Sequence, residues 1–245
     1  MPVVASPAKT ETPRHAAFVR VTHWLTVVAF VALLITGGEI VISHPRFYWG
    51  EIGNVNTRPL FIIPIPSSRD MVPTGYKYVM PDQNGWSRYL HFQAAWLLVF
   101  TGAVYLIAGL GTGHFRKNLI PVPGDRTPRA HWRRIAQYIR RVPPDASEIR
   151  SYNVLQRTTY LTVIFILFPL VIWTGLALSP GFNSAFPFLV NVLGGRQSAR
   201  TLHFFVSGAL LLFLIVHIVM VAVSGFWTRT KPMIIGRPAS IEEEP

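Results

Sequence analysis

The chain has 245 residues, half of them hydrophobic and only 14% charged, with 23 Lys+Arg against 11 Asp+Glu and a formal net charge of +12. Soluble domains carry about 25% charged residues, so this composition excludes an ordinary soluble domain, and the apolar content excludes disorder and collagen. The absence of cysteine excludes disulfides, thiolate zinc sites, Cys-held iron–sulfur clusters, covalent c-type haem and thiol catalysis, so any metal must sit on histidine or carboxylate.

In chain order, residues 1–18 are a polar N-terminal segment, followed by the first of four apolar stretches long enough to cross a bilayer, which takes about 20 residues. The four cover about 19–42, 88–110, 158–178 and 200–226. They predict an all-α integral membrane fold, a four-helix transmembrane bundle over 19–226, with a tail at 227–245. The first stretch is too long for a cleavable signal and lacks a small-x-small cleavage pattern. Pro169 falls inside the third, where a membrane helix tolerates it with a kink. The loop 43–87 is rich in Pro, Gly and aromatics (HPRFYWGEIGN, PLFIIPIPSS, VPTGYKYVMP), and its length marks it as a candidate docking surface. The loop 111–157 contains RAHWRRIAQYIRR (129–141), with Trp132, Ile135, Tyr138 and Ile139 at helical spacing among arginines. That pattern predicts an amphipathic helix lying on the membrane face.

Basic residues are unevenly shared between the two sides. Segments 1–18, 111–157 and 227–245 hold fifteen, whereas 43–87 and 179–199 hold five. The positive-inside rule then puts both termini and the central loop in the cytoplasm. Topology and contact with membrane lipid account for the +12 charge, and no nucleic-acid partner is needed.

Four of the eight histidines fall inside spans: His23, His91, His203 and His217. Ionisable groups at such depth are functional candidates. His203 and His217 are 14 residues apart on one helix, about 40° short of four turns and about 21 Å apart in rise, so they face one way at two depths. His23 comes early in a span that starts inside, and His91 early in one that starts outside. Depth alone pairs His23 with His217 and His91 with His203. Two bis-histidine pairs at two depths suit two stacked b-type haems, each iron saturated for electron transfer.

Small residues line the same faces. Gly37 follows His23 by 14 positions, and Gly102 and Gly109 follow His91 by 11 and 18, which leaves room for porphyrins or for close helix packing. An arginine stands three residues before three of these histidines, as Arg20–His23, Arg88–His91 and Arg200–His203. Each shares a helix face with its histidine one turn nearer the interface, where it suits a haem propionate. His15, His44, His114 and His131 lie in loops or at interfaces, where structural roles are expected. No two histidines lie within five positions of each other, against His-box di-iron and helical zinc sites. Neither a glycine-rich phosphate loop nor a nucleophile–base set is found.

The residues RVTHW (20–24), RYLHF (88–92), YNVLQ (152–156), TGLALSP (174–180) and ARTLHF with its 14-residue step to His217 resemble the four-helix di-haem b-type cytochrome subunits. These include the cytochrome b subunits of nickel–iron hydrogenases, the gamma subunits of formate dehydrogenases and thiosulfate-reductase-like subunits. The resemblance covers about residues 14–236. It implies two haems b on the same pairs, and a quinone site beside the cytoplasmic haem, where Asn153 and Gln156 match a Tyr-Asn-x-x-Gln stretch. Asn153 there is equally suited to capping a helix. The outer segment HPRFYWGEIG (44–53) departs from the hydrogenase and formate pattern and looks more like the thiosulfate-reductase-like group, some of whose members accompany molybdopterin oxidoreductases.

The expected function is electron transfer between an extracytoplasmic catalytic subunit (a molybdopterin oxidoreductase, hydrogenase or similar) and membrane quinone, in either direction. One alternative is a stand-alone quinol-linked cytochrome b. Another is a haem-free membrane anchor or transporter whose histidines are helix glue or proton relays.

Overall fold

The computed structural model describes residues 15–54, 56–64, 84–140 and 153–236. The stretch VPTGYKYVMP, Arg141, Tyr152 and the acidic tail Glu242–Glu244 lie outside them. Four helices are long and apolar enough to cross a membrane. They are α1 (Ala17–Ser43), α2 (Asn84–Gly111), a third span built from α4 (Val154–Thr162), a π-helical turn (Val163–Leu167) and α5 (Phe168–Ala177), and α8 (Arg196–Val223).

Helix α1 packs mainly on α2, and α5 on α8. The α1–α2 seam is made of small residues at heptad spacing. Thr22, Ala29, Thr36 and Ser43 are buried on α1, and Ser87, Ala94 and Thr101 on α2. Lipid provides no hydrophobic drive between helices, so small side chains that let backbones approach are what such a seam requires. A seven-residue repeat keeps them facing the partner along the whole length. Large apolar side chains such as Val28, Ile35, Phe100 and Ile107 instead point outward, as membrane spans do.

The third and fourth spans begin about four residues before their apolar runs. Asn153 caps α4 in a reciprocal capping box with Gln156, so the helix starts in polar sequence. Pro169 is accommodated by the π-helical turn before it, where the Phe168 N–H bonds the Val163 carbonyl. Such a turn re-satisfies backbone groups that a proline would orphan.

At the end opposite the basic loops, the segment after α1 forms a short hairpin, β1 (Arg46–Phe47) with β2 (Phe61–Ile62), antiparallel with Arg46 opposite Ile62. Phe47 and Tyr48 are buried there. This hairpin clamps the start of α8. The Gly50 carbonyl accepts the Gln197 and Ser198 N–H groups at 3.0 and 3.1 Å, and Glu51 Oε2 accepts the Arg196 N–H at 2.8 Å. These satisfy donors that a helix N-terminus leaves unpaired. Gly195 has φ +102°, and a Cβ on it would meet the Gly50 backbone at 2.8 Å, so only glycine fits. Thr201 Oγ1 adds a bond to the Tyr48 carbonyl at 2.7 Å. Short helices α6 (Pro180–Ala185) and α7 (Pro187–Asn191) complete this end.

At the basic end, α3 (Pro128–Ile139) is amphipathic, with Thr127 as N-cap and Trp132 exposed. It docks on α4 through Asn153 Nδ2 donating to Tyr138 Oη at 2.5 Å. Charge patterning alone does not reveal α9 (Phe226–Ile235), inside the expected tail. It lies against α1, where Arg20 donates to the Ile234 carbonyl at 3.2 Å and Trp24 Nε1 to the Met233 carbonyl at 3.1 Å. Both are C-terminal carbonyls of α9, the end at which a helix attracts cations and donors.

Candidate metal centres

The bundle brings the four span histidines together in two facing pairs. His23 on α1 and His217 on α8 have ring centres 6.4 Å apart, and His91 on α2 and His203 on α8 have them 6.3 Å apart. An imidazole nitrogen binds a first-row metal at about 2.0–2.1 Å and lies about 1.1 Å from its ring centre, so two rings on opposite sides of one ion need centres about 6 Å apart. Both pairs have that spacing. Among the described residues no group of three or more His, Cys, Asp or Glu could hold a metal, so these are two-ligand sites.

The pair farther from the basic end is cradled in one repeated way. Thr36 Oγ1 lies 2.9 Å from His91 Nδ1 and donates its own hydrogen to the Ala32 carbonyl at 2.7 Å. Thr174 Oγ1 lies 3.0 Å from His203 Nδ1 and donates to the Leu170 carbonyl at 2.7 Å. A hydroxyl whose hydrogen is spent accepts, so Nδ1 of each ring carries its proton and Nε2 keeps a free lone pair. The next residue in each case is glycine. A Cβ on Gly37 would lie 3.6 Å from His91 Cε1, and one on Gly175 3.2 Å from His203 Cε1. Sequence reading singled out Gly37, quoted Thr174 and Gly175 within TGLALSP without giving them a role, and missed Thr36. The signal was the Thr-Gly dipeptide that recurs inside the apolar spans, at 36–37, 101–102 and 174–175.

The pair nearer the basic end has aromatic neighbours. Phe213 stacks on His217 at 5.7 Å, and Trp24 meets His23 edge-on at 5.3 Å. His23 Nδ1 is buried with no hydrogen-bond partner among the described residues. Beside this pair, between the third span and α8, lies a cleft of about 290 Å³ whose lining includes Thr158, Thr162, Val163, Phe213 and Val216.

Two of the three predicted arginines, Arg20 and Arg200, donate to backbone carbonyls. Arg20 bonds α9 while its Nε is buried without a partner. Arg200 donates to the His44 carbonyl and lies 4.9 Å over the Phe47 ring. Arg88 is exposed. Arg46, which sequence spacing did not single out, has its Nε buried without a partner. Burial, then the Arg200 and Arg88 charges, push His44 below the ordinary histidine range, so it stays neutral and the arginines carry the positive charge. Gly109 packs on the Phe115 ring, which makes it a close-packing glycine rather than a spacer beside the histidines. Asn153 and Gln156 spend their side-chain oxygens on the capping box.

Residues 14–236 match the family of prokaryotic cytochrome b561. The chain is also 30% identical over 213 residues, 85% of its own length and 89% of the relative's, to a protein of Azospira oryzae named as protein-methionine-sulfoxide reductase subunit YedZ1. No solved structure matches it. The chain belongs to the prokaryotic cytochrome b561 family.

This cytochrome is therefore a multi-pass protein of the bacterial inner membrane and a haem-b electron-transfer subunit. The residues present fit that group. Facing imidazoles have the separation one iron requires, Thr-Gly steps orient the two distal rings, and unpaired Arg20 and Arg46 Nε atoms can meet propionate charge.

Proposed function

We propose that this cytochrome holds two b haems, one between His23 and His217 and one between His91 and His203, and passes electrons across the membrane between a catalytic oxidoreductase subunit and quinone. The observation that carries the reading is the pair of facing histidine couples, each with ring centres 6.3–6.4 Å apart, standing 14 residues apart on one helix. Each haem, when bound, takes up and releases single electrons through its iron. Arg20 on one side, and Arg88, Arg200 and Arg46 on the other, supply positive charge for the propionates.

The basic end faces the cytoplasm under the positive-inside rule, so the His91–His203 pair lies toward the periplasm. There the hairpin, with exposed Trp49, Ile52 and Leu60, forms the docking face for the catalytic subunit. The relative's name makes it a subunit of a methionine-sulfoxide reductase, which supports an oxidoreductase partner here, of the molybdopterin class expected from the segment 44–53. Quinone binds in the cleft beside His217. The cleft is apolar, lies against the span surface, carries threonine hydroxyls, and is lined by Phe213, which stacks on the His217 ring. Asn153 and Gln156 lie at the head of the same span, and their amide N–H groups are the donors they can turn to a quinone carbonyl.

Pyridine haemochrome assay of the purified protein is expected to give about two haems per chain. His23→Ala or His217→Ala removes one, and His91→Ala or His203→Ala the other. Retention of full haem by all four variants rejects the assignment. Co-purification of a catalytic subunit supports the partner, and a chain isolated alone that still turns over quinol favours the stand-alone reading.

A further inference from the structure

Resting on the quinone reading above, we propose that His131 and Thr158 form the proton path into the quinone cleft. His131 stands on α3 at the basic surface, half-buried. Its Nδ1 lies 2.9 Å from the Thr127 carbonyl, a pure acceptor, so Nδ1 carries a hydrogen. Its Nε2 lies 3.0 Å from Thr158 Oγ1. In the neutral ring Nε2 holds the lone pair and accepts the threonine hydrogen. In the doubly protonated ring Nε2 donates, and the hydroxyl must turn its own hydrogen elsewhere.

The direction open to that hydrogen is the cleft, because Thr158 lines it. The opposite wall is Phe213, stacked on the iron-ligand ring of His217 at 5.7 Å. Electron and proton donors thus flank one space from two sides. Thr159 also lines the cleft, but among the described residues Thr158 is the lining hydroxyl bonded to a titratable side chain. Thr162 Oγ1 donates to the Thr158 carbonyl at 3.0 Å, and the oxygens of Asn153 and Gln156 close the helix cap. Thr158 joins the cleft to a titratable group at the surface. The third span is also irregular just beyond it, at Val163–Leu167, and π-helical turns in helices recur at functional sites.

The chemistry balances. One quinone takes two electrons, supplied one at a time from the site at His23 and His217, and two protons. For each proton, the Thr158 hydroxyl turns toward the cleft, cytoplasmic water protonates His131 at Nε2, the ring nitrogen that holds the lone pair, Nε2–H then passes to Thr158 Oγ1, and the threonine hydrogen passes to a quinone oxygen. The ring returns to neutral for the next cycle, and quinol leaves. The proton relay forms and breaks only N–H and O–H bonds, while the two electrons turn the two C=O groups of the quinone into the C–OH groups of the quinol. Oxidation of quinol runs the same steps backward.

The test uses the haem-loaded protein in proteoliposomes, with its haems reduced beforehand by dithionite. It is mixed with decylubiquinone in a stopped-flow instrument, and haem reoxidation is followed optically. Thr158→Val and His131→Gln should each slow reoxidation at saturating quinone on the order of 100-fold, the low end of what a positioned acid–base group supplies. The quinone KM should stay unchanged and the solvent deuterium isotope effect should rise. The double variant should be no slower than either single one, and Thr158→Ser should recover the wild-type rate. A mere tie between α3 and the third span would not move the isotope effect. If Thr158→Val reoxidises at the wild-type rate with the wild-type isotope effect, the path is overturned while the quinone reading stands. If wild-type protein is not reoxidised at all, both fall. Should Thr158→Val alter the haem spectrum, His131→Gln, which lies outside the spans, decides on the same measurements.

Discussion

A histidine that offers Nε2 to iron must keep its proton on Nδ1, and a hydrocarbon interior holds few acceptors for that proton. Thr36 and Thr174 supply them, each having already given its own hydrogen to the carbonyl four residues back. The bond makes each imidazole a stronger donor and favours the ferric state. Thr36→Val or Thr174→Val should therefore raise the midpoint potential of the haem proposed at His91 and His203 and leave the one proposed at His23 and His217 unmoved. A net hydrogen bond of roughly 1 kcal/mol corresponds to about 40 mV for one electron. A redox titration that resolves the two haems checks this, and an unchanged potential would remove the threonines from the site. The histidines were legible because ionisable groups stand out in apolar runs. The threonines were not, because a membrane threonine bonded to its own helix reads as self-satisfied. Their second role exists only where another helix brings a ring within 3 Å.

At the scale of elements, the ends of the helices decide how well the sites are held. Helix α8 carries one histidine of each pair, and its first N–H groups are closed by Gly50 and Glu51 from the hairpin. Gly195→Ala forces a Cβ into that hairpin at a positive φ, at a cost of about 1–3 kcal/mol. It should release the haem at His91 and His203 at a lower temperature than the other, followed by absorbance during heating. Equal release temperatures would mean that the clamp does not support the site. A pH effect belongs to the corner after α2. His114 Nδ1 accepts from Asn118 Nδ2 at 3.0 Å, Phe18 and Phe115 meet the ring edge-on, and burial holds His114 below the ordinary histidine range. The folded corner then keeps the ring neutral where the opened one protonates. The open form binds more protons, and stability falls as pH drops below about 6.5. Hydrogen exchange of residues 112–120 should show easier opening at pH 5 than at pH 7.5, and His114→Phe should abolish the difference. The amphipathic α3 was readable from its arginine and aromatic spacing. The helical form of α9 was not, because Pro232 interrupts it and its anchoring donors, Arg20 and Trp24, come from more than 200 residues away.

Across the whole molecule, two facing histidine pairs, about 21 Å apart along α8, cover most of a hydrocarbon core about 30 Å thick. In the proposed arrangement quinone and its protons lie on the basic side and the electron partner on the other, so turnover would move charge across the membrane. Proteoliposomes with the chain inserted in one orientation should build a membrane potential during quinone reduction, read by a voltage-sensitive dye. An electroneutral reaction would reject the proposed placement of quinone and proton uptake.

Sequence by itself determined the four spans, the excess of basic residues at one end, and the four histidines with their pairing by depth. Hydropathy, charge and helical periodicity are properties of each segment alone, and a bilayer turns them directly into depth and facing. Tertiary structure alone decided what surrounds those histidines. It placed a Thr-Gly step against each distal ring, committed Asn153 and Gln156 to a cap, filled the space at Gly109 with Phe115, and joined His131 to Thr158. Each of these depends on the distance between side chains of different elements, and packing, not periodicity, sets that distance.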